Sequence, residues 1–510
     1  MRVAGVVVLL TGALTISAAS GNVQPARRAS VRAARSTGFF VSQIEFPPPL
    51  VVRGERIEVG YDAQTTPNAQ KIPNATGTLY VRNDLQRSLT TVPLKLRKRQ
   101  IGPPWPEGTD TIKLRAFVPN WLLVGDRLFY YAVIRDRLSA RSVTVPTGGA
   151  RAPESVWIIN NAVRVNLGTY AFGHLAPPGA VVARAGPTQV GFNTCAPGGE
   201  CGQPSGPASF EVASDRSIWL LDQLNSRLLV WGRGQPDTVA RTVPLSFAPF
   251  GDFALGPAGS LYVVRGYSKG PPVHPGGWPS SFPPLQLSRV SMGGNVVWTR
   301  KLDTDDASVQ LRTGPDGTLY WTGGGSGQKA KEGQGWRPWA PAVTPVGRSL
   351  PMATQERRVR WTQPLPGGRQ LVLATTGWTG LPWTPEPHEV RVALLDRASR
   401  VVRAWRITSR TIIEPAGAAT PALVGGDPAV VLFPTRPSGG TYQSEYLVLR
   451  LGPKGVRTRF SLPFDEPPRS AYAGYTITEI RVQPDGKLYQ LGSAPDFGAA
   501  IYEYSLAPTP

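Results

Sequence analysis

Three histidines are the residues of this chain with the clearest capacity for metal chemistry. They are His174, His274 and His388, and the sequence contains no others. Neutral imidazoles are good zinc ligands, and three of them can hold zinc while a water takes the fourth position. Zinc lowers the pKa of such a water, so that it can attack a substrate near neutral pH. One interpretation of the sequence is therefore a metal-dependent lyase or hydrolase with zinc as its cofactor.

Aromatic side chains offer a second chemistry, which is ligand binding without catalysis. They stand in Gly- and Pro-rich segments between short strand patterns, so we expect them in loops. Rings exposed on such loops can stack on a carbohydrate or dock a peptide. They can equally fold inward and fill the loops with small apolar cores. The candidate ligand-binding residues are Trp278, Trp336, Trp339, Trp378, Trp383 and Tyr442.

Familiar catalytic motifs are missing from the sequence. It contains no Gly-x-Ser-x-Gly elbow, no phosphate loop, no metalloprotease helix and no EF-hand loop. Its adjacent acid pairs, Asp305-Asp306 and Asp465-Glu466, stand at the ends of predicted strands, where turn carboxylates are common. We therefore expect a binding or scaffold protein that needs no cofactor, with the zinc enzyme as the alternative.

The two cysteines, Cys195 and Cys201, enclose the sequence Ala-Pro-Gly-Gly-Glu. In an exported protein, a pair so close around a turn-prone insert predicts a local disulfide. Two ligands alone make a poor metal site.

A repeated sequence motif predicts the elements that position these residues. It consists of a turn glycine followed by a short aromatic strand, and we call it the glycine phrase. Clear copies begin at Gly259, Gly317 and Gly486, and weaker copies begin at Ser217, Gly368 and Asp427. Self-similarity at a period of roughly 40–60 residues in a turn-rich, all-β sequence is typical of propeller blades. The sequence thus predicts a six-bladed β-propeller over residues 161–507, with seven blades as the alternative if residues 333–360 hide a degenerate blade.

The first blade carries a local resemblance to a known family. Within residues 217–231, its two middle strands are joined by the turn Asp222-Gln-Leu-Asn225-Ser-Arg227. This turn resembles that of NHL-repeat blades, in which the acid, the amide and the arginine bond to one another and to the turn. Peptide-amidating lyases are propellers of this type that use three zinc-bound histidines. The resemblance implies the same role for His174, His274 and His388, although two of these stand beside prolines in loop segments.

The sequence also predicts how the ring closes and which face binds. The sixth blade ends after three strands, and an exposed edge there would be a liability. We expect residues 162–167 to pair with it as the outer strand. Blade geometry places the loops between second and third strands, here called the b–c loops, on one face of the ring. We expect long b–c loops at residues 267–284, 323–341, 376–388, 434–442 and 492–499. The candidate aromatics lie in these loops, and the histidines fall on the same face.

Residues 39–157 show seven short strands of alternating polarity, which is typical of an immunoglobulin-like sandwich. The phrase Asp126-Arg-Leu-Phe-Tyr130 resembles the tyrosine corner of that superfamily, in which the Tyr hydroxyl bonds to the backbone. Ala132 stands where antibody domains have a cysteine. The resemblance implies a spacer or docking domain ahead of the propeller.

The N-terminus and the charge indicate compartment and partners. Arg2, an apolar run over residues 3–16 and Ser17-Ala-Ala19 predict a secretory signal over residues 1–19, followed by a basic spacer over residues 20–38. The net charge of +21 is diffuse, because residues 1–160 hold 21 Lys and Arg against 10 acids and residues 161–510 hold 34 against 24. We expect a monomer, secreted or in a bacterial cell envelope, that binds protein or carbohydrate and no specific nucleic acid.

Overall fold

The fold was analysed in a computed structural model that describes residues 39–45, 47–65, 74–100, 111–192, 206–207, 209–256, 259–265, 285–302, 309–314, 317–322, 340–343, 361–376, 389–416, 419–438, 441–463 and 477–506. These residues form an all-β protein, as the sequence predicts. Short 3-10 helices occur at Asn120–Leu122, Gly149–Arg151 and Pro366–Gly368. The predicted signal, the basic spacer and the cysteine pair lie outside the described residues.

The first nine strands form a curled sheet that closes over one core. Its strands are β1 (Phe39–Glu45), β2 (Leu50–Val52), β3 (Ile57–Thr65), β4 (Ala75–Asn83), β5 (Thr90–Gln100), β6 (Thr111–Val118), β7 (Arg127–Asp136), β8 (Ser142–Val145) and β9 (Glu154–Ile159). Neighbouring strands follow the order β1-β3-β6-β5-β4-β7-β9-β2, and β8 pairs with β7. The first half of β5 pairs with β4 and its second half with β6, so the sheet bends there into two layers.

The alternating side chains that face inward build the core of this domain. They include Val59 and Tyr61 of β3 and Leu79 of β4, all fully buried. The seven predicted strands are confirmed, whereas β2 and β9 were missed because each is a short apolar run without clear alternation. Tyr130 is buried, and Gln43 Nε2 donates to its hydroxyl at 3.4 Å.

The described residues after β9 form six further sheets. Each sheet is one blade, and the blades follow one another at the predicted spacing. Blade one is β12 (Ser209–Val212), β13 (Ile218–Asp222), β14 (Arg227–Trp231) and β15 (Val239–Pro244); blade two is β16 (Pro249–Leu255), β17 (Leu261–Arg265), β18 (Gln286–Val290) and β19 (Val296–Lys301); blade three is β20 (Gln310–Thr313), β21 (Leu319–Thr322) and β22 (Ala340–Val343). Blade four is β23 (Trp361–Pro364), β24 (Gln370–Thr376), β25 (Glu389–Leu395) and β26 (Val401–Thr408); blade five is β27 (Ile412–Pro415), β29 (Ala422–Val424), β30 (Asp427–Ser438), β31 (Thr441–Gly452) and β32 (Gly455–Pro463); blade six is β28 (Ala419–Thr420), β33 (Ile477–Val482), β34 (Lys487–Ala494) and β35 (Gly498–Ser505).

The glycine phrase marks the second strand of every blade, as the repeat predicts. Gly259, Gly317 and Gly486 have positive φ angles of 70°, 77° and 83°, which explains why the turn before that strand uses glycine. Apolar clusters join blade six to blade one, blade one to blade two, and blade two to blade three. Further clusters join blade four to blade five and blade five to blade six.

The prediction that residues 162–167 complete blade six was wrong. Residues 162–167 contain β10 (Val163–Asn166), which pairs in parallel with β26 on the outer edge of blade four, and not with blade six. The strand that completes blade six is β11 (Ala180–Ala185), antiparallel to β35. The alternation of β10 fits any half-exposed edge, so the sequence revealed a strand without revealing its partner.

Residues 163–185 therefore act as one strap across three consecutive blades. Between its two strands, Tyr170 donates to Glu445 Oε2 at 2.7 Å and the Gly173 N–H donates to Glu445 Oε1 at 2.6 Å, both on blade five. The Ala176 N–H then donates to the Ser461 carbonyl at 2.7 Å. The strap covers the outer edges of blades four, five and six in turn.

We predict that blade six depends on β11. Ala183 is 1% exposed within the apolar cluster between blades six and one, so Ala183→Glu would bury an unpaired carboxylate. Such burial is expected to destabilise the protein by about 3 kcal/mol or more. Arg184→Glu is the matched control, because Arg184 points outward and makes an exposed ion pair with Asp237 at 3.6 Å. Calorimetry that found equal melting temperatures for the two variants would contradict the closure by β11.

The N-terminal domain packs directly on blade four. Leu50, Trp157 and Ile159 form an apolar cluster with Val372, Ala374, Ala393, Leu395 and Ala404. The buried Arg391 of blade four reaches into the domain, donating to the Leu50 carbonyl at 2.7 Å and binding both carboxylate oxygens of Glu55. Trp157 Nε1 donates to the Ser399 carbonyl at 3.1 Å. The two domains thus share a core as well as a charge network.

Arg391 is predicted to hold this interface. Its side chain is 3% exposed and lies between the half-buried Glu55 and the more deeply buried Glu389, so Arg391→Met would remove the cation that joins the two domains and leave Glu389 with Arg406 alone. Removing one partner of a buried pair typically costs about 3–5 kcal/mol. Arg400→Met breaks an exposed ion pair with Asp396 in the same blade and should change stability little. Thermal unfolding and proteolysis between the domains would measure the difference, and two indistinguishable variants would refute the prediction.

Candidate functional site

A cluster of charged side chains lies where the first strands of four blades meet. Its members, called the axial cluster below, are Glu211 of blade one, Asp252 of blade two, Arg312 of blade three, and Glu479 and Arg481 of blade six. The two arginine side chains are 5% and 2% exposed. Buried charges are rare unless they are paired, so this cluster is the most unusual chemical environment among the described residues.

Asp252 is the most completely bonded acid of the cluster. Its Oδ2 accepts from Arg312 Nη1 at 2.9 Å and from the Leu311 N–H at 2.7 Å. Its Oδ1 accepts from the Phe253 N–H at 2.9 Å and from the Ser209 hydroxyl. A carboxylate that accepts four hydrogen bonds has its lone pairs committed to the protein. Asp252 therefore ties blades one, two and three together.

Glu479 connects blade six to the same centre. Its Oε1 binds Arg312 Nη2 at 3.1 Å and Arg481 Nη1 at 2.5 Å, and its Oε2 accepts from the Phe210 N–H at 3.2 Å. Arg312 Nε also donates to the Thr420 hydroxyl at 2.8 Å, which adds the short strand β28. Arg312 consequently spans from blade three to blade six, bonding to groups on opposite sides of the centre.

Glu211 is the exception in the cluster. Its Oε1 lies 3.9 Å from Arg312 Nη1 and 3.9 Å from Arg481 Nε, beyond hydrogen-bond distance. Among the described residues, this oxygen and the Nε and Nη2 atoms of Arg481 are buried without a hydrogen-bond partner. Incompletely bonded buried polar groups are costly, and they concentrate at functional positions.

The electrostatics separate Glu211 from its neighbours. Three carboxylates share two guanidiniums, which leaves one surplus negative charge. Burial raises the pKa of Glu211 to about 7, with Arg481 and Arg312 opposing the shift. Burial also raises the pKa of Glu479. Burial alone would lower the pKa of Arg312, but the carboxylates of Asp252, Glu479 and Glu211 outweigh it and raise the value. Glu211 can therefore gain or lose a proton near neutral pH.

Sequence reasoning missed the axial cluster, although a signal was present. The first strands of blades one, two, three and six each carry a charged residue among buried neighbours. Examples are Ser-Phe-Glu211-Val, Gly-Asp252-Phe and Glu479-Ile-Arg481. A charge in such a strand calls for a partner. The partners come from blades far apart in the sequence, so spacing along the chain could not identify them.

Most of the predicted site residues cannot be placed. Trp278, Trp336, Trp339, Trp378, Trp383, His274, His388, Cys195 and Cys201 all lie outside the described residues. His174 is exposed, on the strap between Gly173 and Leu175, which meets the outer strand of blade five. The three-histidine zinc site and the disulfide therefore stay predictions. Within the described ranges, no three potential ligands are grouped as a metal would require.

Two of the predicted b–c loops were wrong in length. In blade five, β30 continues to Ser438 and β31 begins at Thr441, so the predicted loop 434–442 is mostly a strand hairpin, and Tyr442 lies in β31 opposite Pro437. In blade six, the strands continue to Ala494 and resume at Gly498. The sequence did not predict these longer strands, because their ends contain polar residues and prolines that are typical of loops. Long b–c segments, at 266–285, 323–339 and 377–388, remain in blades two, three and four.

The tight turn of blade one has the predicted contacts. Asp222 Oδ2 accepts from Asn225 Nδ2 at 2.8 Å and from Arg227 Nε at 2.8 Å. Its Oδ1 accepts from the Gly191 N–H at 2.9 Å. The buried carboxylate thus fixes the turn and attaches the segment that follows the strap.

No protein-family model and no curated protein matches this sequence. Among solved structures, the chain is similar to YCF48 from Cyanidioschyzon merolae, with 12% identity and a TM-score of 0.23 over 58% of this chain and 94% of that one. A likeness of this size does not bear on function. No helix in the described part of the chain is long and apolar enough to cross a membrane.

The axial cluster predicts that Glu→Gln substitutions at positions 211 and 479 change the free energy of unfolding in opposite directions. A carboxyl whose pKa is raised on folding stabilises the protein at low pH, and this stability is lost as pH rises through the folded pKa. Glu211→Gln should therefore stabilise the protein at pH 8, by at most about 3 kcal/mol, and the gain should vanish near pH 4.5. The pKa of Glu479 is raised too, but loss of the bonds that its carboxylate accepts from two buried arginines and a backbone N–H should outweigh this, so Glu479→Gln should destabilise the protein at both pH values.

Chemical denaturation of both variants between pH 4.5 and pH 8 measures this difference. Destabilisation by Glu211→Gln at pH 8 would show that its negative charge is needed to balance the arginines, contrary to the prediction.

Proposed function

We propose that this protein is an exported binding or scaffold protein of the bacterial surface, and that the b–c face of its propeller engages a glycan or a protein. The observation that carries the proposal is the axial cluster. Asp252, Arg312 and Glu479 are committed to contacts that join four blades, as a rigid support would require. Because these groups are used within the protein, we place the ligand site in the b–c loops at the rim.

The asymmetry of the rim supports a localised binding surface. Long b–c segments belong to blades two, three and four, which are consecutive, whereas blades one, five and six have tight hairpins. All five candidate tryptophans fall in these three segments. A ligand would be held over one sector of the ring. Tyr442 of the blade five hairpin would stand at the border of that sector.

The domain families belong to the same proposal. Pairing of β2 with β9 in parallel and of β1 with β3 in antiparallel is consistent with an immunoglobulin-like first domain, whose split first strand contacts both layers. The Asp222, Asn225 and Arg227 contacts are consistent with an NHL-type first blade. With the first domain packed on blade four, it would orient the propeller relative to the cell surface.

The alternative, a metal-dependent lyase or hydrolase, has one observation in its favour. Glu211, with a pKa of about 7, has the protonation behaviour of a general acid or base. A zinc enzyme would in addition need His174, His274 and His388 to converge. Elemental analysis of the purified protein separates the two functions, because an open three-histidine site should retain near-stoichiometric zinc.

Binding by the rim is tested with purified peptidoglycan and with neutral wall glycans. Trp378→Ala and Trp336→Ala should each weaken binding at least tenfold, since aromatic anchors dominate such interfaces. Trp121→Ala is the matched control, because Trp121 is an exposed tryptophan of the N-terminal domain and belongs to no b–c segment. Zinc that copurifies and is lost on His274→Ala would overturn the proposal in favour of the enzyme.

A further inference from the structure

One layer of the N-terminal domain presents a solvent-facing surface that combines arginines with aromatic rings. On β4 and β7, side chains alternate between buried and partly exposed, so every second residue faces outward. The outward residues of β4 and β7, with those of β8, form what we call the outer face. Its members are Thr76, Thr78, Tyr80, Arg82, Arg127, Phe129, Tyr131, Val133, Arg135, Ser142 and Thr144.

The rings and guanidiniums of the outer face are stacked side by side. Tyr80 and Tyr131 are cross-strand partners whose rings are parallel within 6°, with centroids 4.8 Å apart. Next to them, the Arg82 guanidinium lies 4.6 Å from the centroid of Phe129, which is its own cross-strand partner. Arg127 lies 5.8 Å from Phe129 on the same side of the sheet. Stacking holds the guanidiniums in fixed planes and reduces the conformational entropy they lose on binding.

The charge on the outer face has a single sign. It carries Arg82, Arg127 and Arg135, and none of its outward residues is acidic. Asp136 and Glu154 are buried, and the Asp136 carboxylate accepts hydrogen bonds from the turn at residues 138 and 139. The remaining members are largely hydroxyls from Thr, Ser and Tyr. Planar guanidiniums bind carboxylates with two parallel hydrogen bonds. Arg82 uses one of its five N–H donors on the protein, from Nη1 to the Gln86 carbonyl at 3.4 Å.

We propose that the outer face binds an acidic polysaccharide, a polymer that carries a carboxylate on its sugar units. The arginines take the carboxylates, and the surrounding hydroxyls hydrogen-bond the sugar hydroxyls. This site lies on the N-terminal domain and is separate from the rim of the proposed function.

Two other polymers fit the outer face less well. Single-stranded nucleic acid binds by stacking its bases on open aromatic faces, but Tyr80 and Tyr131 cover each other and Arg82 covers Phe129. An acidic protein would bring apolar anchors that need pockets, and the outer face offers Val133 as its one aliphatic side chain. Hydroxyl-rich sugars bearing carboxylates match the groups that are present.

The test uses the full chain and polygalacturonate as the probe, with binding followed by calorimetry at low and moderate salt. Arg82→Gln and Arg135→Gln should each weaken binding about tenfold, the size expected for a charge-assisted hydrogen bond. Tyr131→Phe, which removes one hydroxyl, should have a smaller effect. Arg241→Gln is the matched control, because Arg241 is an exposed arginine stacked on Trp219 of blade one, 4.8 Å from its ring. That control should bind as the native chain does.

Several results would overturn the proposal. Absence of binding to polygalacturonate, or equal losses with Arg82→Gln and Arg241→Gln, would mean that the outer face is not a specific site. Equal or tighter binding of single-stranded DNA or of poly-glutamate, lost on Arg82→Gln, would assign the face to a nucleic acid or to an acidic protein instead. Melting temperatures of all variants verify folding. Trp378→Ala should leave polygalacturonate binding unchanged, so failure of the rim and failure of the outer face are distinguishable.

Discussion

Pairing of buried charge at the centre of the ring is the constraint on which the propeller depends. Arg312 joins the acids of blades two and six, and its loss would leave both carboxylates buried without the cation they share. A pairing of this kind is unforgiving, because loss of any member leaves another charge buried. It also selects one arrangement of blades, since an apolar centre would tolerate displacement of one sheet past its neighbour. Glu211 is the component that this balance leaves over.

A second buried arginine repeats the arrangement between the domains. Arg391 binds Glu55 of the N-terminal domain and Glu389 of its own strand, and Arg406 binds the other side of Glu389. Burial by itself raises the pKa of Glu389, but the hydrogen bonds from Arg406 and Arg391 outweigh it and lower the value. The acid therefore stays ionised over the whole neutral range. The domain interface is thus held by a buried charge network as well as by apolar contacts, and the two proposed ligand surfaces belong to domains that pack on each other.

What the sequence predicted well was local, and what it missed was distant. Gly259 and Gly317 announce the second strands of their blades because a positive φ and the strand that follows are properties of a few adjacent residues. The turn at Asp222 was predictable for the same reason. The closure was not, because β10 and β11 are both short alternating strands and only their pairing distinguishes them. The axial cluster was missed for the same physical reason, since Glu211 and Arg481 meet through the fold and not through the sequence. The stacked pairs of the outer face could not be predicted either, because they depend on the register of β4 against β7.

The strap has a consequence for the order in which this protein can be built. Val163 pairs with Trp405 and Ala180 with Glu503, so a segment made early must wait for partners made hundreds of residues later. Blades one to three can form sheets as they emerge, but β10 stays unpaired until β26 of blade four is made, and β11 until β35 of blade six is made. Long-range pairing of this kind slows folding and prolongs exposure of strand edges. A chain that has emerged only as far as blade five therefore has an incomplete ring, and removal of the hairpin formed by β34 and β35 would leave β11 without its partner.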